Sequence, residues 1–140
     1  ELRRGVGQEI FARGHQRGSL GCARAMKKGR MLGLIADQDG GYHGIFVPFF
    51  GKMASTPEGP AYFARKFKAP VVPIFMVRKP SGYGHQVFVK EPIYYEDTGN
   101  QEKDDYRITL KMTQEVEKII RQYSDNWIWF QHRWNTPWNG

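Results

Sequence analysis

The strongest pattern in the sequence is a long amphipathic repeat near its C-terminal end. Apolar side chains recur at steps of three and four residues, at Ile108, Met112, Val116, Ile119, Ile120 and Tyr123. This spacing predicts one helix over residues 104–123. The other apolar runs are strand-sized, and none reaches the roughly 18 residues that a membrane-spanning helix requires. The sequence therefore predicts a globular chain without a transmembrane segment of its own.

Two short apolar runs, residues 31–36 and 71–77, predict buried strands. Pro73 indicates that the second strand lies at a sheet edge or contains a bulge. We expect a helix between them that begins at Thr56 and ends at Phe67, because Thr56 offers a capping hydroxyl and a proline follows it. This succession suggests a βαβ crossover, and hence an α/β fold with a mixed, mostly parallel sheet flanked by helices.

Three smaller elements complete the predicted order. Residues 42–53 form an aromatic loop that is too apolar to be solvated, so it should pack against another part of the chain. Residues 80–84 have turn chemistry, and the alternation at residues 87–89 adds an antiparallel hairpin. Near the start, Ser19 is expected to cap a short helix that ends in basic residues before Gly29.

The charge of the chain favours anionic partners but does not select one. Lysine and arginine number 21 against 14 acidic residues, a net charge of +7, which suits phospholipid surfaces, nucleic acids or phosphorylated ligands. The lone cysteine, Cys22, can form neither an intrachain disulfide nor the usual structural zinc site.

Asp37 and Asp39 follow the first predicted strand, where an α/β sheet presents its ligand-binding edge. Two carboxylates in a cleft can act as acid and base, hold a metal, or orient a hydroxylic or cationic group. A metal is not expected, because further ligands are missing nearby. The alternative is that both aspartates only form a turn before Gly40 and Gly41.

The C-terminal segment concentrates aromatic and basic chemistry. His132 and Arg133 lie among the four tryptophans of the chain, Trp127, Trp129, Trp134 and Trp138. The pair could bind phosphate while the indoles sit at the level of lipid headgroups. The alternative is that the tryptophans pack this segment onto the core, which we expect for at least two of them.

Several motifs occur in the same order as in one known family. They are residues 33–39 (GLIADQD), residues 47–51 (VPFFG), Ala54 with Thr56 and Gly59, residues 71–73 (VVP), and residues 127–129 (WIW) with residues 132–134 (HRW). In this order they resemble the bacterial lipid A biosynthesis acyltransferases of the lauroyl or myristoyl transferase type, within the lysophospholipid acyltransferase superfamily. The resemblance implies a glycerolipid-acyltransferase-like fold, incomplete at the N-terminus, with residues 1–140 as the C-terminal portion of a single acyltransferase domain.

The resemblance also implies an activity and a location. Such an enzyme moves a fatty acyl chain from acyl carrier protein or acyl-CoA to a hydroxyl of a lipid A precursor or related phosphorylated glycolipid. It works without a cofactor at the cytoplasmic face of the bacterial inner membrane, and nucleic acid is not an expected partner. The alternative is a non-catalytic, basic and aromatic module that binds anionic lipid or nucleic acid.

The reaction centre of the family is a histidine followed after four residues by an acid, and this sequence lacks it. The residues five positions after the four histidines are Leu20, Pro48, Lys90 and Pro137. We therefore expect that the motif lies upstream and that the chain alone is inactive.

By position, the resemblance assigns catalytic roles to Asp37 and to Arg4, with Arg3 as the alternative to Arg4. The residues that it implies in substrate binding are Gln38, Asp39, His132, Arg133 and Trp134.

Overall fold

The computed structural model describes residues 5, 7–11 and 16–140, and the chain divides into two compact units at Gly33. In the first unit, helix α1 spans Gln16–Lys27. It ends as predicted, because Gly29 has a φ of 72° and its N–H donates to the Met26 carbonyl at 2.9 Å. Ser19 lies inside this helix and is not its cap.

The second unit, residues 34–140, contains the remaining elements. In chain order they are β1 (Ile45–Phe49), β2 (Lys52–Thr56), α2 (Gly59–Phe67), β3 (Ile74–Arg78), β4 (His85–Val89), α3 (Gln101–Gln122) and a short 3-10 helix (Ser124–Asn126).

Helix α3 confirms the amphipathic repeat and organises the core of the second unit. It begins at Gln101 because the side chain of Asn100 accepts a hydrogen bond from the Lys103 N–H at 3.0 Å. Its apolar stripe packs at one end against α2 and at the other against the first two strands. The two core clusters are Ala61, Ala64, Ile93, Ile108 and Met112, and Phe49, Ala54, Ile119 and Ile120. No helix in the part of the chain that the structure describes is long and apolar enough to cross a membrane.

The fold is mixed α/β, but the prediction of a mostly parallel sheet is wrong. β1 pairs with β2 and β3 pairs with β4, and both two-stranded sheets are antiparallel. The strands of each pair follow one another through a short turn, which allows only the antiparallel arrangement. The βαβ crossover is also wrong, since α2 connects strands of two different sheets.

Residues 31–36 do not form the predicted strand. Met31 and Ile35 are exposed, and an extended apolar run becomes a strand only when another strand pairs with its backbone. The second predicted strand starts three residues late, at Ile74, while Val71 makes an isolated antiparallel bridge with Ile93.

Most of the aromatic loop belongs to a hairpin, since β1 lies within it and β2 begins at Lys52 and continues to Thr56. Phe50 and Gly51 form its two-residue turn, with φ values of 50° and 77°, a left-handed conformation typical of tight hairpins. The expected packing is confirmed, because Val47 and Phe49 are fully buried.

Helix α2 ends at Phe67 as predicted but begins at Gly59. Thr56 is therefore not its cap; it is the last residue of β2.

Candidate functional site

Two segments of the second unit meet beside the end of β2. They are the polar turn, residues 37–41, and the C-terminal segment, residues 131–136. The Gly40 N–H donates to the Ser55 carbonyl at 3.0 Å, and the Ser55 hydroxyl donates to the Gly41 carbonyl at 2.6 Å. Because Ser55 is fully buried, these two bonds hold the polar turn directly against the strand.

Gly40 allows this close approach of two backbones. A Cβ at this position would lie 2.6 Å from the Thr56 carbonyl carbon and 2.8 Å from its oxygen. Neither atom can move without displacing β2. The glycine is therefore required by backbone packing.

Arg133 joins the C-terminal segment to the same strand. Its guanidinium donates to the Ser55 carbonyl at 2.5 Å and to the Thr56 hydroxyl at 2.7 Å. The side chain is only 2% exposed, and its Cζ lies 5.0 Å from the centroid of the Phe49 ring, within reach of a cation–π interaction. Arg133 is thus a buried cation bound to β2 on one side and covered by an aromatic ring.

The charge of Arg133 faces the two aspartates of the polar turn. Burial lowers the pKa of the guanidinium, and the negative charges of Asp39 and Asp37 act in the opposite direction. The ion pairs found among the described residues do not include Arg133. Two carboxylates and one guanidinium formally leave one negative charge, which suits hydroxyl and amide groups of a ligand better than a phosphate.

Asp39 is held from both sides. Its Oδ2 accepts a hydrogen bond from the buried Thr136 hydroxyl at 2.7 Å, and its Oδ1 accepts a longer one from the Gly41 N–H at 3.4 Å. The second contact agrees with the turn-forming interpretation, since an aspartate often bonds to the backbone two residues later. The first contact is tertiary, and it fixes the carboxylate beside the C-terminal segment.

An open cavity of about 360 Å³ lies between the polar turn and the C-terminal segment, and we call it the polar pocket. It is lined by Gln38, Asp39, Gln131, His132 and Asn135. The amides both donate and accept hydrogen bonds, the carboxylate accepts them, and the imidazole has one nitrogen for each role, which together suit a polyhydroxylated ligand. In the described part of the chain, no three His, Cys, Asp or Glu side chains are grouped to hold a metal ion.

The structure brings together site residues that the sequence separates. Gln38, Asp39 and His132 share the polar pocket, whereas Arg133 and Trp134 are not among its lining residues. The predicted catalytic residue Arg4, like its alternative Arg3, lies outside the described residues, so its role stays a prediction.

Sequence reasoning missed Ser55, Gln131, Asn135 and Thr136. Gln131 lies between the two parts of the C-terminal motif, residues 127–129 and 132–134, and this position was the one signal available for it.

The tryptophans divide into two pairs. Trp127 and Trp134 pack against Phe49, with ring centroids 6.1 Å and 5.4 Å away, which confirms core packing for two of the four. The Trp134 Nε1 is buried and has no hydrogen-bond partner among the described residues. Trp129 and Trp138 are exposed, by 54% and 53%.

Comparison with known proteins gives a consistent result. The sequence model of one family, described as bacterial lipid A biosynthesis acyltransferase, matches residues 1–136. The chain is 32% identical over 119 residues to a lipid A biosynthesis lauroyltransferase of Escherichia coli (strain K12), covering 83% of this chain and 37% of the relative. It is 28% identical over 129 residues to a lipid A biosynthesis palmitoleoyltransferase of the same strain, covering 91% and 40%. A lipid A biosynthesis acyltransferase of Haemophilus influenzae is 26% identical over 119 residues, covering 83% and 37%.

Proposed function

Because the chain belongs to the bacterial lipid A biosynthesis acyltransferase family, we propose that the protein containing it transfers a fatty acyl chain to a hydroxyl of a lipid A precursor or related phosphorylated glycolipid. The donor is a thioester of acyl carrier protein or coenzyme A. The reaction takes place at the cytoplasmic face of the inner membrane. The names of the relatives support the class of reaction.

In this proposal, residues 1–140 are the C-terminal portion of a single acyltransferase domain. The chain spans between 37% and 40% of the length of the relatives it matches. Its histidines are not followed by an acid at the interval that the family uses. The base that takes the proton of the acceptor hydroxyl therefore belongs to another part of the protein, and the chain alone is inactive.

The transfer itself requires a fixed acceptor. The hydroxyl oxygen attacks the thioester carbonyl carbon, its proton passes to the base, and the C–S bond breaks to release the thiol. A well-positioned hydroxyl lowers this barrier because translational and rotational freedom is lost before the reaction begins. The role of the described residues is to provide that positioning.

The observation that carries the proposal is the polar pocket. Its carboxylate, amide and imidazole groups can bind the sugar hydroxyls and amides of a glycolipid acceptor. We assign the direct contacts to Gln38, Asp39 and His132, with Gln131 and Asn135 beside them. Arg133 and Trp134, which the resemblance also implies in substrate binding, do not line the pocket, and we assign them the support of the C-terminal segment that does.

We assign Asp37 a role in positioning the groups that react, the acceptor hydroxyl and the thioester. It is close enough for its charge to influence Arg133, yet it does not line the pocket. Together with Arg4, it would orient the acceptor hydroxyl or the thioester.

Kinetics of the full-length protein test these assignments. Asp37→Asn should lower acyl transfer by about a hundredfold or more through lost positioning, whereas Asp39→Asn should mainly raise the acceptor KM. Asp97→Asn, in an exposed ion pair with Lys68, is the matched control. Unchanged turnover in Asp37→Asn removes that residue from the site. Lipid binding without any acyl transfer by the full-length protein would favour the non-catalytic module.

A further inference from the structure

Three consecutive apolar side chains are exposed immediately before the polar pocket. Ile128, Trp129 and Phe130, which we call the aromatic tip, are all exposed, and Phe130 is 94% exposed. The next two residues, Gln131 and His132, line the pocket. The tip does not contribute to either core cluster, so its apolar character is not explained by folding of the described chain.

Some of the polar atoms of the tip, including both N–H groups of Trp129, have partners within the chain. The Gln131 N–H donates to the Ile128 carbonyl at 3.2 Å, which closes a turn around Trp129 and Phe130, and the Trp129 N–H donates to the Trp127 carbonyl at 3.1 Å. The indole N–H of Trp129 donates to the Ser124 carbonyl at 2.8 Å. Moving this turn into an apolar medium therefore leaves fewer donors unsatisfied than an open loop would.

The base of the tip is supported by packed residues. The Trp129 ring centroid lies 6.3 Å from that of Phe50. The guanidinium of Arg121, a residue of α3, lies 4.7 Å from the centroid of the same Phe50 ring. Phe50 is itself held, since its N–H donates to a Glu117 carboxylate oxygen at 2.8 Å. The tip thus projects from a supported base at the end of the β1–β2 hairpin and α3.

We infer that the aromatic tip inserts into the interfacial layer of an anionic phospholipid bilayer and so places the polar pocket at the membrane surface. Tryptophan with neighbouring apolar residues is the composition typical of membrane interfaces. The net charge of +7 favours an anionic surface.

This inference deepens the membrane location given under the proposed function and rests on it. It is tested without turnover, so its failure is distinguishable from a failure of the proposed acyl transfer. The 140-residue chain is mixed with vesicles of phosphatidylcholine and phosphatidylglycerol whose acyl chains carry bromine, which quenches an indole that enters the bilayer. Trp129→Phe should remove most of the quenching. Trp138→Phe is the matched control, since the two indoles are equally exposed, and it should retain the quenching. The reverse pattern, or no binding to these vesicles, overturns the inference.

A second variant pair measures the free energy of insertion. Phe130→Ser should weaken vesicle partitioning about tenfold, the loss expected for one buried aromatic side chain. Tyr83→Ser removes another aromatic side chain, 88% exposed in the β3–β4 turn, and should leave partitioning unchanged. An equal loss in both variants would show that lipid binding is not directed by the tip. Circular dichroism of each variant confirms that the fold is intact.

Discussion

Thr136 donates a hydrogen bond of 2.7 Å to Asp39, a residue 97 positions earlier in the chain. This bond holds the C-terminal segment beside the polar turn, and residues of both segments line the polar pocket. Because Asp39 is the carboxylate that faces the pocket, the hydroxyl of Thr136 governs how that carboxylate is presented to a ligand.

The first prediction concerns this hydroxyl. Thr136→Val keeps the shape of the side chain but leaves Asp39 Oδ2 without its donor. We expect the acceptor KM of the full-length protein to rise about tenfold, the value of one hydrogen bond to a charged group, with little change in kcat. Thr136→Ser should restore the wild-type KM. If Thr136→Ser raised the KM as much as Thr136→Val, the cause would be altered packing and not the lost hydrogen bond.

The second prediction concerns the buried guanidinium. Arg133→Lys keeps the charge but replaces the planar guanidinium, whose two terminal nitrogens donate separately to the Ser55 carbonyl and the Thr56 hydroxyl, with one ammonium nitrogen. We expect the free energy of unfolding to fall by about 3 kcal/mol, measured by urea denaturation. Arg78→Lys, at an exposed position, should change it little. Equal stability of the two variants would contradict the structural role of Arg133.

The third prediction concerns the contact between two backbones. Gly40→Ala places a Cβ 2.6 Å from the Thr56 carbonyl carbon, so the polar turn must move away from β2. We expect a loss of about 2 kcal/mol in unfolding free energy and a higher acceptor KM. Gly33→Ala, where a Cβ meets nothing within 4 Å, is the control for thermal and urea unfolding. A fully stable Gly40→Ala protein would mean that the polar turn is not held against β2.

The fourth prediction concerns pH. The Thr98 N–H donates to Asp104 Oδ2 at 2.9 Å and the Thr98 hydroxyl donates to Oδ1 at 2.8 Å. The backbone bond, with smaller contributions from the hydroxyl and Arg107, lowers the pKa of Asp104. The ionised carboxylate therefore stabilises the folded chain above the unfolded pKa of about 4, and this stabilisation is lost as the pH falls through the lower folded value.

Urea unfolding at several pH values checks this sign. Asp104→Asn should be less stable than the wild type between about pH 5 and pH 8, and the difference should shrink as the pH approaches 2. Thr98→Val, which removes only the hydroxyl donor, should show part of the same effect. A difference that does not depend on pH would mean that the Asp104 charge is not responsible.

The sequence by itself determined the elements whose signals are local. The repeat from Ile108 to Tyr123 predicts α3 because one helical face is buried along its whole length. The turn residues 80–84 predict the β3–β4 hairpin because they reverse the chain within a few positions. The acyltransferase family also follows from ordered motifs, since these depend on the order of residues and not on contacts.

Tertiary structure decided the rest, because pairing and burial depend on segments far apart in the sequence. Residues 31–36 have the composition of a strand but no strand pairs with them in the described chain. Residues 42–53 were predicted as a loop, but most of them belong to the β1–β2 hairpin, whose turn is formed by Phe50 and Gly51 in left-handed conformations. The site shows the same division: Asp39 and His132 were recognisable from their motifs, whereas Thr136 entered only because folding brought its hydroxyl to the carboxylate.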